Sequence, residues 1–71
     1  RLNARMLAAV LEEFLRGLSA RTRILFLRRY WYFCSIREIA HEEGLSEGAV
    51  KSSLFRTREK LKVKLQEEGL L

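Results

Sequence analysis

Residues 35–54 read SIREIAHEEGLSEGAVKSSL, and this stretch holds two helix starts with a helix stop between them. Ser35 followed three residues later by Glu38 spells a capping box, in which the serine hydroxyl accepts from the Glu38 amide and the Glu38 carboxylate reaches back to the amide of Ser35. A helix should therefore begin near Ile36 and turn Ile36, Ile39 and Ala40 inward. Gly44 stands where a left-handed residue is needed to leave that helix, and Leu45 can pack back into the core across the turn. Ser46 is a second N-cap, opening a helix that runs through good helix formers to about Gln66. Two helices joined by a few residues that include a glycine are the sequence signature of a helix-turn-helix.

Upstream, Leu2, Met6, Leu7, Val10, Leu11, Phe14 and Leu15 recur at spacings of three and four, which predicts a first helix with one apolar face. Gly17 is placed to end it, and Ser19 to cap a second helix. That second helix carries Ile24, Leu25, Phe26, Leu27, Tyr30, Trp31 and Phe33, too many apolar residues for one narrow stripe, so it is expected at the centre of the core. There is no proline, repeat or linker-like tract. The expected fold is all-α: a small four-helix domain ending in a helix-turn-helix, without a wing, with residues 1–71 forming one domain.

Seventy-one residues leave room for one small core and argue against a large buried catalytic cleft. The first residue is Arg1 rather than Met, so the chain is expected to be a piece of a longer protein. Fourteen Lys and Arg against nine acidic residues give a net charge of +5, a balance that favours a polyanion such as nucleic acid as partner. No apolar run approaches the roughly 20 residues of a membrane span, and no secretory leader is legible. The expectation is a cytoplasmic protein with no membrane partner. Cys34 is the single cysteine; with no second thiol and no clustered histidines it suggests neither a disulfide nor a metal site, and it reads as a small apolar residue in a connection. His41 stands alone and is read as ordinary surface. No nucleophile with an adjacent base, no paired carboxylates and no phosphate-binding glycine loop point to an enzyme, and no cofactor is expected.

The last helix has two faces. At about 100° per residue, Val50, Leu54, Thr57, Leu61 and Leu65 fall on one side and should dock the helix. Lys51, Ser52, Phe55, Arg56, Glu59 and Lys62 fall on the other. A helix lying in the major groove presents its N-terminal half to base edges: Lys and Arg donate to guanine, Ser to several bases, and an aromatic ring can touch a thymine methyl. Cations further along suit phosphates. Two plainer readings compete: the run from Arg58 to Lys64 also offsets the helix dipole or is simply solvated, and Phe55 could be a satellite core residue covered by Gly69, Leu70 and Leu71.

Residues 18–65, LSARTRILFLRRYWYFCSIREIAHEEGLSEGAVKSSLFRTREKLKVKL, resemble region 4 of a sigma-70 family RNA polymerase sigma factor, closest to the extracytoplasmic-function type. The likeness extends over about Leu15 to Leu65, with SIREIA, the LSEGAVKS turn and FRTREKL in register. It implies a domain that recognises the promoter −35 element with its last helix while docking on RNA polymerase core, with an anti-sigma factor as a further partner. It also implies that Lys51, Ser52, Phe55 and Arg56 face bases or the adjacent backbone, that Arg29 meets backbone or bases, and that Arg37 lies where the first helix of the motif crosses the phosphates. Ser46 and Gly48 expose amides that suit a phosphate, and Ser53, Arg58 and Lys62 complete the expected backbone contacts. Ser53 stands where the family often has arginine, and Leu18 with Ser19 where it often has Leu-Pro. The link of Tyr32, Phe33 and Cys34, usually glycine-rich or acidic, is here apolar, which suggests extra packing or a partner surface. Two other readings remain at this point: a response-regulator effector domain with a similar helix-turn-helix, and a protein-interaction module using the basic face and the Tyr30 to Phe33 patch.

Overall fold

The computed structural model describes residues 3–71, and among them the chain forms four helices and no strand: α1 (Ala4–Arg16), α2 (Ala20–Tyr30), α3 (Ile36–Glu43) and α4 (Glu47–Glu67). Each begins on a side-chain cap that accepts the amide hydrogen three residues on, the usual way of satisfying the free N–H groups of a first turn. Asn3 caps α1, Ser19 α2, Ser35 α3 and Ser46 α4. The Asn3 cap was not read from the sequence, and Leu2, expected to open the apolar stripe of α1, lies outside the described residues.

At α3 the capping box is complete. The Ser35 amide donates to Glu38 Oε1 at 2.7 Å and the Glu38 amide to Ser35 Oγ at 3.0 Å, and donation from the backbone and then the hydroxyl of Ser35 holds the Glu38 carboxyl below its ordinary pKa. Replacing Ser35 by alanine should lower stability by about 1 kcal/mol, which for a domain of this size is a fall of roughly 4–8 °C in Tm, measurable by circular dichroism. Because Glu38 titrates lower in the folded state, its share of the cap is fully present above the unfolded carboxylate pKa and is lost as the pH falls through the folded one. The variant should therefore also lose part of the wild-type acid sensitivity of melting; an unchanged Tm would show that α3 is held by packing alone.

The turn between α3 and α4 closes as the sequence indicates. Gly44 sits at φ 67°, ψ 36°, and the amide of Leu45 donates to the Ala40 carbonyl at 2.9 Å. That left-handed closure brings Leu45 against the core formed by Leu25, Ile39, Ala40, Val50 and Leu54. The core therefore lies among α2, α3 and α4, with Ile39 and Val50 fully buried. Thr57 is buried too, its hydroxyl donating to the Ser53 carbonyl at 2.8 Å, so its polar atom is satisfied within its own helix. Two arginines clamp the helix-turn-helix from α2: Arg28 pairs with Glu42 at 2.9 Å and Glu43 at 3.0 Å, and Arg21 donates to the Glu43 carbonyl.

The α1 helix packs against the far half of α4, and Phe14 is its buried residue. Phe14 meets Phe26 of α2 edge-on, with centroids 6.2 Å apart. Lys64 of α4 donates to Glu13 Oε1 at 2.6 Å, a bond that lowers the pKa of Glu13 and raises that of Lys64. Arg23 of α2 donates to the carbonyls of Leu15 and Leu18 and closes the connection between α1 and α2.

The second helix departs from expectation. It ends at Tyr30, and Trp31, Tyr32 and Phe33 do not enter the core; they are 71%, 69% and 84% exposed. The local cause is a widened last turn: the amides of Trp31 and Tyr32 both donate to the Leu27 carbonyl, and that of Cys34 to the Arg28 carbonyl. Phe33 closes it at φ 57°, a left-handed conformation that is uncommon for a bulky side chain and costs on the order of 1 kcal/mol or more. Only Cys34 of this link turns back against the core.

Candidate nucleic-acid interface

The docking side of α4 is as expected: Val50, Leu54 and Thr57 are buried, and Leu61 and Leu65 half-buried. The opposite side is open. Lys51, Ser52, Phe55, Arg56, Glu59 and Lys62 are all exposed, so the four residues expected to face bases share one outer surface on the first half of the helix. Phe55 is 56% exposed. The C-terminal tail does not cover it: Gly69 at φ 72° turns the chain, and the Leu70 amide donates to the Leu65 carbonyl at 2.8 Å, closing the tail on the end of α4. The satellite-core reading of Phe55 is thereby overturned.

The residues expected at the DNA backbone are placed less uniformly. Lys62 extends the outer face by two turns, and Arg37 is exposed on the first turn of α3. Ser46 is engaged as the α4 cap, its Oγ accepting from the Ala49 amide at 3.1 Å. Gly48 lies in the first turn beside Glu47, where a helix N-terminus attracts anions and the Glu47 carboxylate already satisfies part of that attraction. Ser53 is half-buried at the edge of the docking side, away from the outer face. Arg29 is half-buried, with its guanidinium donating to the Cys34 carbonyl at 3.1 Å; it holds the link before α3. Arg58 is exposed, but its guanidinium donates to the Tyr30 hydroxyl at 2.6 Å and its central carbon lies 6.0 Å from the Phe55 ring centroid. Lys64, counted with the basic run, is half-buried on the docking side and bound to Glu13 and Glu68.

A second exposed surface lies on another side of α2. Ile24, Leu27 and Trp31 follow one another at helical spacing, and Ile24, Leu27, Arg28, Tyr32 and Cys34 line a shallow open groove. Tyr30, by contrast, reaches α4. Periodicity did not separate these surfaces, because the run from Ile24 to Phe33 is apolar on every side.

Electrostatically the outer face of α4 is a cationic surface with one carboxylate on its midline. Glu59 enters no ion pair among the described residues, although Arg56, Arg58, Lys60 and Lys62 lie within one turn of it. The first half of the helix thus carries hydrogen-bond donors and an apolar ring without a carboxylate beyond Glu47, which is the composition suited to base edges.

The family model described as "Sigma-70, region 4" matches residues 8–61. The chain belongs to the sigma-70 region 4 family. A search of curated proteins gives no match. Membership makes the helix-turn-helix a DNA-binding element of transcription initiation, and it sets aside the response-regulator reading, whose fold is similar but whose family is different. The matched span takes in α2, α3, the turn, most of α1 and α4 as far as Leu61, so every residue of the outer face up to Glu59 lies inside it. No described helix of this sigma region 4 domain is long and apolar enough to cross a membrane.

Proposed function

We propose that the outer face of α4 enters the major groove of the promoter −35 element, with Lys51, Ser52, Phe55 and Arg56 at base edges and Lys62 and Arg37 at phosphates, while the domain docks on RNA polymerase core. The observation that carries this reading is the exposed position of Phe55 among donors on a helix whose other side is fixed to the core. Solvent alone gives no reason to hold a phenyl ring there; a groove offering thymine methyls beside guanine acceptors does. The polymerase is assigned to the groove side of α2, where Ile24, Leu27, Trp31 and Tyr32 offer apolar surface away from the contacts with α4. An anti-sigma factor would compete there.

Selection of duplexes from a random pool by the full-length protein assembled with polymerase core tests both halves. A defined motif should be enriched by the wild type and lost when Lys51, Phe55 and Arg56 are replaced by alanine. Replacing Trp31 and Tyr32 should instead weaken retention of the polymerase. Enrichment that persists in the triple variant would overturn the groove assignment.

A further inference from the structure

Tyr30 is expected from the sequence only in the Tyr30 to Phe33 patch, yet it joins the body of the domain to the face proposed to read DNA. Its ring packs against Phe26, with centroids 4.9 Å apart and planes at 51°, and Phe26 in turn meets Phe14 of α1. From that anchored position its hydroxyl accepts from Arg58 Nη1 at 2.6 Å, and the same guanidinium lies 6.0 Å from the centroid of Phe55. Three aromatic rings from α1 and α2 therefore lead through one hydrogen bond and one cation–π contact to the ring exposed on α4.

We propose that Tyr30 is a positioning residue for promoter recognition: it fixes the Arg58 guanidinium beside Phe55, so that Arg58 orients the Phe55 ring at the DNA face instead of serving as a phosphate ligand. An exposed arginine otherwise samples many rotamers, and much of that freedom is lost when its planar fork is held by an acceptor. A guanidinium held against one side of a phenyl ring restricts the directions in which the ring can lie. Arg58 and Phe55 are three residues apart, a spacing at which helical side chains meet. The anchoring of Tyr30 is independent of Arg58, because its ring contact is with Phe26. This assignment revises the sequence-based placement of Arg58 among the DNA-backbone contacts, and it rests on the reading that α4 lies in the groove.

Tyr30→Phe removes the hydroxyl and keeps the ring, so helicity and the Phe26 contact should persist. Using the full-length protein with polymerase core and a duplex selected by the wild type, the variant should bind about three- to tenfold more weakly, the loss expected when the net contribution of one solvent-exposed hydrogen bond disappears. Two further readouts separate positioning from a merely structural role and from phosphate binding. In a Phe55→Ala background, Tyr30→Phe should cost almost nothing, because the ring it orients is gone. Arg58→Ala should leave the dependence of log affinity on log salt unchanged, whereas loss of a phosphate ligand would reduce the slope by about one. A full Tyr30→Phe penalty in the Phe55→Ala background, a reduced salt slope in Arg58→Ala, or wild-type affinity in Tyr30→Phe would each overturn the proposal. Failure of the groove reading itself looks different: Lys51→Ala and Arg56→Ala would then bind as the wild type does.

Discussion

Replacing Leu54 by alanine is expected to remove most of the cooperative thermal transition of this domain. Leu54 is 2% exposed and stands in the cluster with Leu25, Ile39, Ala40 and Val50. Truncating a buried leucine costs about 2–5 kcal/mol, the spread reflecting how far the surroundings collapse into the cavity. Collapse here is limited, since the neighbours come from three helices whose relative positions are set by the closed α3–α4 turn and by the Arg28 clamp. Total stability for a chain of this length is roughly 4–10 kcal/mol, so one substitution consumes a large part of it. Melting followed by circular dichroism should show a broad, strongly lowered transition. Val63→Ala, at a half-exposed position on the same helix, should melt nearly as the wild type does. A fall of only a few degrees for Leu54→Ala would mean that the core is elsewhere.

The same cluster explains which parts of the fold were legible in the sequence. Ile39, Val50 and Leu54 could be placed because each lies on a helix whose start is marked by a serine cap, and a fixed start converts spacing into a direction. Gly44 was legible because a left-handed helix stop has few chemical solutions. Trp31, Tyr32 and Phe33 were not, since hydrophobicity without a period gives no direction, and what exposes them is a widened final turn of α2 set by carbonyls of Leu27 and Arg28. The Arg28, Arg21 and Arg58 contacts were hidden for another reason: they join residues 15, 22 and 28 positions apart. No local pattern encodes a pairing at such range. The outer face of α4 sits between these cases. Its membership followed from helical geometry, but the division of the cations of α4 into free and engaged groups required the neighbouring helices, which hold Lys64 to Glu13 and Arg58 to Tyr30.

That division gives the second large effect, on DNA. Lys51→Ala and Arg56→Ala should each weaken binding to the selected promoter duplex by about 1–3 kcal/mol if the side chain donates to a base edge, or by roughly five- to more than a hundredfold. Both are exposed on the first half of α4 and neither enters an ion pair or side-chain hydrogen bond among the described residues. Their removal therefore breaks nothing in the fold, and melting should be unchanged. Lys62→Ala should behave differently. Lying past Glu59 on the same face, it is suited to a phosphate, and its loss should weaken all duplexes about equally while lowering the salt slope by about one. Discrimination between the selected duplex and single-base variants separates the two roles: it should relax at one position for Arg56→Ala and at none for Lys62→Ala. A uniform loss in both variants would make α4 an electrostatic anchor, and the bases would then be read by another element. The positions of Phe55 and Ser52 favour the selective outcome, because a helix that only tracks phosphates gains nothing from an exposed phenyl ring between two cations.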